Sequence, residues 1–354
     1  DWNGDGVFDM DWGVSKKEVF QYKKGGGLKI ARLQVKTEGG WLVEAARELA
    51  VYARPEAKFG YKQDFENPLQ IVFDATGSND FEDGKNVEIR WDFNNDQQWD
   101  TPWSSNLFEN NTFPEFQQQT IVLSIRDQMG LEATIKKVIR NRFHNMVFVK
   151  AGPYKMGSSD YEVDEGPVHL VHVDDFWIDK FPVTNQQFAE FLNEAKLTNP
   201  EKLINLRSSD VKIFMEDSIF VVESGFENHP VIEVSWHGAK DYAEFYEKSL
   251  PTEAEWEKVA RGSDERMYPW GNEITGITAN YWDSGDPFDN STSPVGFFNG
   301  ELYDSLQTLN NASPYGVYDL VDNVREWCFD WYQRDYYTES PYKNPTGPPS
   351  GTKK

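Results

Sequence analysis

The stretch WDFNNDQQWDTPW, residues 91–103, recurs in altered form at the start of the chain as DWNGDGVFDMDW, residues 1–12. Aligning Asp1 with Asp92 also pairs like residues further along, namely Asn3 with Asn94, Asp5 with Asp96, Asp9 with Asp100 and Trp12 with Trp103. A repeat of this kind indicates that one structural module occurs twice in the chain.

Each copy of the repeat is followed by a variable loop and then by two runs with alternating apolar positions around a glycine-containing turn. These runs are LKIARLQVKTEGGWLVEAARELAVYA (28–53) and QQTIVLSIRDQMGLEATIKKVIRN (118–141). Period-two alternation predicts a β-hairpin in both. Only the second copy is preceded by a further strand–turn–strand pattern, PLQIVFDATGSNDFEDGKNVEIRWDF (68–93). The sequence therefore predicts the C-terminal half of one β-domain at residues 1–57, with the chain starting inside that module, and a complete β-domain at residues 58–142.

The composition describes a folded and strongly acidic chain. Of its 354 residues, 38% are hydrophobic and 15% aromatic, which predicts packed cores. The formal net charge of −24 argues against nucleic acids and anionic membranes as partners, because both require a basic surface. An acidic excess favours cations, and calcium in particular. No apolar run approaches the roughly 20 residues of a membrane span, so no direct membrane insertion of this segment is expected.

The β-region resembles the polycystic-kidney-disease (PKD) domain, an immunoglobulin-like β-sandwich that is common in extracellular proteins. The resemblance rests on VFDATGSNDFEDG (72–84), IRWDF (89–93) and TIVLSIRDQMG (120–130). It covers residues 58–142 directly and residues 1–57 through the repeat. It implies a role as a spacer or adhesion module rather than as a catalyst.

The acidic repeat itself has two interpretations. Asp1, Asn3, Asp5 and Asp9 occupy positions 1, 3, 5 and 9 of an EF-hand-like loop, with Gly6 at its sharp turn. The first interpretation is therefore a calcium site. The second is a turn in which Asp and Asn side chains bond to their own backbone, since position 12 is tryptophan in both copies and no helix pattern flanks either loop.

From residue 146 the chain becomes irregular and rich in Trp, Gly and Pro, and it contains three sequence patterns typical of the start of a helix. Thr184 with Gln187, and Thr252 with Glu255, have the spacing of a capping box, and Ser235 precedes a third apolar-periodic segment. Gly262 is the expected end of the last helix. These patterns predict short helices within an α+β domain at residues 143–354.

Six motifs of this region resemble, in order, those of the formylglycine-generating enzyme or sulfatase-modifying factor family. They are MVFVKAGPYKMGSSDYEVDEGPVHLVHVDDFWIDKFPVTNQQFAEFLN (146–193), HPVIEVSWHGAKDYAEF (229–245), LPTEAEWEKVARG (250–262), YPWGN (268–272), SPYGVYDLVDNVREWCFDWY (313–332) and NPTGPPSG (344–351). The resemblance implies a compact, mostly irregular variant of the C-type lectin fold. The expected fold class is thus PKD-type β-sandwiches followed by an α+β domain of this family.

The resemblance also implies two structural calcium sites. DLVDNVREW (319–327) would supply the side chain of Asp319, the carbonyls of Asp322 and Val324, and Glu326. ANYWDSGDPFDNSTSPVG (279–296) would supply Asn280, the carbonyl of Tyr281, Asp286 and the carbonyl of Phe288. Oxygen donors of this kind suit a hard cation. The alternative is that these side chains only cap turns.

The copper-dependent cysteine oxidation that the resemblance implies for the family is not expected of this chain. The resemblance implies a pair of cysteines beyond an Arg-Gly-Gly-Ser stretch, whereas the printed sequence stops before that stretch and holds one cysteine, Cys328. We expect Cys328 to be a buried, inert thiol, and we nominate no catalytic residue. Copper is expected only if a cysteine pair follows residue 354.

These observations favour a bacterial protein that is secreted, attached to the cell surface or located in the periplasm, and that displays a non-catalytic domain on β-sandwich spacers. Its partner would be a protein or carbohydrate ligand at the cell surface. The alternative function is a copper oxidase that converts protein cysteine to formylglycine, or a related thiol oxidase, with its catalytic cysteines beyond residue 354. A third is a purely structural component of a surface assembly.

Overall fold

The computed structural model describes residue 13 and residues 27–81, 84–160, 162–196, 199–264 and 266–353. The chain divides into two compact units, Asp1–Asn141 and Arg142–Lys354, which are described separately. The acidic residues of the first repeat copy, Asp1, Asn3, Asp5 and Asp9, lie outside the described residues. The calcium site expected there therefore stays a prediction.

The described part of the first unit begins with a long antiparallel hairpin, as the alternating pattern predicts. Strands β1 (Gly27–Lys36) and β2 (Leu42–Val51) pair in register from Gly27 opposite Val51 to Lys36 opposite Leu42. Gly40, in the connecting turn, has a φ of 82°, which favours glycine because a side chain there would be strained. The prediction of a strand, a glycine turn and a second strand is confirmed.

Two three-stranded sheets follow within the same unit, in the orders β3–β4–β6 and β5–β7–β8. Their strands are β3 (Gly60–Gln63), β4 (Gln70–Asp74), β5 (Glu88–Asp92), β6 (Phe108–Thr112), β7 (Gln118–Arg126) and β8 (Glu132–Arg140). All neighbouring pairs are antiparallel.

The core of this unit lies between the two sheets. Phe73 on β4 and Trp91 on β5 are buried in one cluster, with their ring centroids 5.2 Å apart. Ile121, Leu123 and Ile125 reach the same cluster from β7, because alternate residues of a strand face one side of the sheet. The region thus forms a β-sandwich, which confirms that part of the predicted fold class.

The second unit is mostly irregular, with short strands in four two-stranded antiparallel pairs. They are β9 (Met146–Val149), β10 (Gly152–Met156), β11 (His169–Val173), β12 (Phe176–Asp179), β13 (Ile213–Glu216), β14 (Ile219–Val222), β15 (Leu302–Tyr303) and β16 (Leu306–Gln307). The partners are β9 with β12, β10 with β11, β13 with β14, and β15 with β16.

Three α-helices stand where the sequence predicts them: α1 (Asn185–Glu194), α2 (Trp236–Phe245) and α3 (Glu253–Arg261). The capping boxes of α1 and α3 are both formed. In α3 the Thr252 hydroxyl accepts from the Glu255 amide at 3.2 Å, and the Glu255 carboxylate accepts from the Thr252 amide at 2.8 Å. The helix ends at Gly262, whose φ is 66°. In the described part of the chain, no helix has the length and apolar character needed to cross a bilayer.

Helix α3 anchors the loop that carries the first predicted calcium site. Val259 and Ala260 of α3 pack with Val149 of β9 and with Val317 and Leu320. Because Leu320 directly follows Asp319, this packing fixes one end of that loop against the helix.

Candidate functional site

The first predicted calcium site lies in the segment 319–326, here called loop A. Three of its residues, Asp319, Asp322 and Asn323, have φ values of 59°, 62° and 57°. Asp and Asn tolerate this left-handed conformation better than most residues, because their short polar side chains can bond locally. Loop A is therefore a tight irregular turn that the residue types at these positions permit.

Asp319 points into the protein. Only 2% of its surface is exposed, and its Oδ2 accepts a hydrogen bond from the Gly296 amide at 2.6 Å. Its Oδ1 accepts from the Asn311 side-chain nitrogen at 3.5 Å. Burial nevertheless raises the pKa of the Asp319 carboxyl to about 6, since these two donors compensate only part of the lost hydration.

Glu326, at the other end of loop A, is held by α3. Its Oε2 accepts from the indole nitrogen of Trp256 at 2.5 Å. Burial raises the pKa of the Glu326 carboxyl to about 7, and the nearby Asp319 carboxylate acts in the same direction. Two acidic groups withdrawn from water and repelling each other are the situation that a bound cation relieves.

The second predicted site lies in the segment 280–288, here called loop B. Its two side-chain candidates, Asn280 and Asp286, are each 7% exposed. The Asn280 amide donates to the carbonyl of Ser291 at 2.8 Å. Asp286 accepts from the Ser284 hydroxyl at 2.5 Å and from the Phe288 amide at 2.6 Å. Loop B is thus folded back on itself around its own carboxylate.

The main-chain candidates take part in local turns. The carbonyls of Tyr281, Phe288 and Asp322 accept from the amides of Ser284, Ser291 and Val324 at 3.1, 2.8 and 2.7 Å, respectively. Each carbonyl oxygen has a second lone pair that can still contribute to a cation. The main-chain assignments, including the Val324 carbonyl, stay predictions.

Asn323 joins loop A to the region of loop B. Its backbone amide donates to the carbonyl of Asn280 at 3.0 Å. Its side-chain oxygen accepts from the Ser293 amide at 2.9 Å, and its side-chain nitrogen donates to the Ser293 carbonyl at 3.2 Å. One residue between two candidate ligands of loop A therefore makes three hydrogen bonds to the chain at and after loop B.

The donors present suit calcium in their chemistry. All candidate ligands are oxygens, and no ion pair found among the described residues involves Asp319 or Glu326. Nearby, Ser293 Oγ and Asn311 Oδ1 are buried without a hydrogen-bond partner. Within the described ranges, no three His, Cys, Asp or Glu side chains form a group able to hold a metal, so either site would depend on amide and carbonyl oxygens as well.

The second copy of the acidic repeat forms the backbone-bonded turn. Asp92 accepts from the amides of Asn94 and Gln97 at 3.2 and 3.1 Å. Asp100 reaches back to the Phe93 amide at 2.6 Å. The carboxylate oxygens of these side chains accept hydrogen bonds from backbone amides, as the Asx-turn interpretation of this stretch predicts.

Cys328 has the environment of an unreactive thiol. It is a free cysteine of intermediate exposure. Burial, followed by the charges of nearby acidic residues such as Asp330 and Glu253, raises the pKa of the thiol well above its usual range. The thiolate, which is the nucleophile and the metal ligand, is therefore strongly disfavoured.

Nothing in the sequence patterns singled out Asn311, Asn323, Ser293 or Trp256 as part of a site. Asn323 lies inside the motif DLVDNVREW, but an asparagine there reads equally well as a turn residue. Asn311 and Ser293 are separated from loop A by intervening chain and meet it only in the fold. A weak signal for Asn323 was its position between two candidate ligands.

Comparison with known proteins places the second half of the chain in context. The family model described as sulfatase-modifying factor enzyme 1-like domain (FGE-sulfatase) matches residues 131–351. A formylglycine-generating enzyme of Thermomonospora curvata is 34% identical over 246 residues, covering 58% of this chain and 79% of that protein. The inactive C-alpha-formylglycine-generating enzyme 2 of Bos taurus is 33% identical over 219 residues, covering 53% of this chain and 71% of that protein.

Two further similarities are to a relative named as a protein kinase and to the solved structure of a PKD domain. The serine/threonine-protein kinase pkn1 of Chlamydia caviae is 38% identical over 214 residues, covering 59% of this chain and 32% of that protein. This chain thus spans about a third of the length of the chlamydial relatives it matches. Among solved structures, the PKD1 domain of Vibrio anguillarum Epp is similar at 28% identity, covering 25% of this chain and 94% of that domain with a TM-score of 0.20.

Proposed function

The chain belongs to the FGE-sulfatase family, and we propose that its family domain is a calcium-stabilised, non-catalytic binding module displayed on PKD-like spacers. The observation that carries the proposal is the pair of acidic residues in loop A. Asp319 is buried and Glu326 half-buried, and neither has a basic partner among the ion pairs found in the described residues. A divalent cation would neutralise them, and loop A would then be held rigid for display.

Two observations support the non-catalytic part of the proposal. The single thiol of the printed sequence, Cys328, is kept in its protonated form by burial, which does not suit a copper ligand. In addition, one relative at 33% identity carries the word inactive in its name. Family membership alone is therefore compatible with a domain that has kept the fold without the reaction.

The remaining parts of the proposal extend what the resemblance implies. We assign the family domain to a C-type-lectin-like fold and place the protein outside the cell or at the cell surface of a bacterium, the periplasm included. Its ligand would be a protein or a carbohydrate. The kinase activity in the name of the chlamydial relative is not part of the proposal, because the similarity covers only 32% of that protein.

Calcium binding tests the proposal directly. The purified full chain, stripped of metal with a chelator, should gain roughly 5–10 °C in melting temperature at a calcium concentration of about 100 Kd. Magnesium at equal concentration is the control and should have a much smaller effect, because it demands near-ideal octahedral geometry. The absence of any calcium-dependent shift would contradict the proposal.

A copper-dependent thiol oxidase is the second candidate, favoured by 34% identity to a formylglycine-generating enzyme over 79% of that protein. The two functions differ in one assay. With copper, oxygen and a cysteine-containing peptide, a binding module consumes no oxygen and forms no aldehyde. Formation of formylglycine by the native protein would establish the oxidase and end the binding-module proposal.

A further inference from the structure

Asn323 lies within loop A and makes hydrogen bonds to Asn280 of loop B and to Ser293, which follows loop B. We propose that it couples the two loops, so that an ion held in one loop increases the calcium affinity of the other; this inference rests on the proposed function. Asn323 is a positioning residue in this scheme, since its side chain is used on Ser293 and not on an ion.

The contacts on the loop B side fix two points of the chain. The Asn323 amide donates to the carbonyl of Asn280, whose side chain is a candidate ligand of loop B. The side-chain amide of Asn323 bonds to both the N–H and the C=O of Ser293, as a neighbouring strand would. Because the Asn280 side chain also donates to the Ser291 carbonyl at 2.8 Å, these bonds connect the first residue of loop B with the chain that follows it.

The contacts on the loop A side are covalent. Asn323 stands directly between Asp322 and Val324, whose carbonyls are candidate ligands. Its φ of 57° is part of the left-handed run that shapes loop A. An ion that orders loop A would therefore also fix the position from which Asn323 reaches Asn280 and Ser293. The second ion would then bind a loop that is already ordered and would lose less conformational entropy.

The geometry also explains why the residue is asparagine. Asparagine tolerates the left-handed conformation and offers one donor and one acceptor on the same side chain. Aspartate would keep the shape but place an oxygen against the Ser293 carbonyl. Glycine would keep the backbone conformation and the amide bond to Asn280 but would remove both bonds to Ser293.

A double-mutant cycle on the full chain tests the coupling by calorimetric titration with calcium chloride. The variant Glu326→Gln weakens loop A while keeping an acceptor for Trp256, so that the affinity of loop B can be followed. We expect it to weaken calcium binding at loop B about tenfold in the parent protein, within the usual range of coupling between sites. In the Asn323→Gly background the same change should leave the affinity of loop B unaltered.

The matched control is Asn290→Gly. Asn290 is an exposed asparagine just after loop B with a φ of 67°, so the replacement and the backbone conformation are the same. In that background Glu326→Gln should still weaken loop B about tenfold. If Asn323→Gly fails to fold, Asn323→Asp provides a second comparison. It keeps the shape, loses the donor to Ser293 and adds a negative charge, so the effect of Glu326→Gln is measured against Asn323→Asp itself.

The outcomes are distinct. In a protein that binds two ions, either of two results would overturn the coupling and leave the proposed function standing. The first is that Glu326→Gln does not change the calcium affinity of loop B. The second is that its effect on that affinity persists undiminished in Asn323→Gly and Asn323→Asp. A parent protein that binds no calcium would overturn both. Reciprocity gives a second check: where Asp286→Asn empties loop B and Glu326→Gln empties loop A, the affinity of the remaining loop must fall by the same factor in both variants.

Discussion

The indole nitrogen of Trp256 donates a hydrogen bond of 2.5 Å to Glu326, across 70 residues of sequence. This bond fixes the acid of loop A to helix α3, which packs against Val149 and Leu320 in the same cluster that Trp256 joins. The carboxylate is therefore positioned by the core and not by the loop alone. Burial, with a smaller contribution from the nearby Asp319 carboxylate, raises the pKa of Glu326 to about 7 and makes loop A sensitive to pH in the absence of an ion.

The first prediction concerns pH. The pKa values of Asp319 and Glu326 are raised to about 6 and about 7, above usual values of 3.8 and 4.5. The ion-free folded protein then binds more protons than the unfolded chain across this range, so its stability is greatest below it and is lost as pH rises through about 7. The loss is on the order of 2–4 kcal/mol for the coupled pair.

Chemical denaturation of the chelator-treated protein at several pH values measures this loss. Glu326→Gln is the matched control and should reduce the dependence, because it removes one of the two titrating groups. Excess calcium should also reduce it, since the ion favours the ionised carboxylates. An ion-free protein that gained stability between about pH 5 and about pH 8 would contradict the pKa argument.

The second prediction concerns stoichiometry. Asp286→Asn should lower the number of bound calcium ions by one, because it removes the anionic donor of loop B while its one remaining oxygen can still accept from the Phe288 amide. Calorimetry or metal analysis after dialysis measures the number. Asn290→Gly, nearby and exposed, should leave the number unchanged. An unaltered count in Asp286→Asn would exclude Asp286 as a ligand.

The third prediction concerns Cys328. Alkylation by iodoacetamide near neutral pH should be at least roughly a hundredfold slower in the folded protein than in concentrated guanidinium chloride, because burial and nearby carboxylates suppress the thiolate. Intact mass over time follows the reaction. Equal rates in the two states would show an accessible, reactive thiol and would reopen its chemistry.

The fourth prediction concerns the β-sandwich. The Arg90 guanidinium lies 4.1 and 4.2 Å from the ring centroids of Trp99 and Trp103, and it pairs with Glu132 at 3.1 Å. Arg90→Lys should destabilise this unit by about 1–2 kcal/mol, because an ammonium group cannot stack between two rings. Urea denaturation followed by tryptophan fluorescence measures the change.

Arg47→Lys is the control for that measurement, since Arg47 lies exposed on β2 in the same unit. It should change the stability by no more than about 0.5 kcal/mol. A similar small value for Arg90→Lys would show that the stacked arrangement contributes nothing measurable.

Local structure followed from local chemistry. The capping boxes Thr184 with Gln187 and Thr252 with Glu255 predicted the starts of α1 and α3, because the stabilising contacts join residues three apart. The hairpins could be predicted for the same reason, because apolar and polar residues alternate along each strand with a period of two. The acidic repeat was ambiguous, because an Asp-rich loop and an Asx turn use the same residues.

The sequence by itself determined the β-hairpins, the helix starts and the family of the second half, because each depends on residues close together or on motifs in a fixed order. Tertiary structure alone decided that Trp256 holds Glu326, that Asn311 meets Asp319, and that Asn323 joins the two loops. These contacts depend on how an irregular chain packs. No periodicity records that packing, because hydrogen bonds between distant loops leave no regular spacing in the sequence.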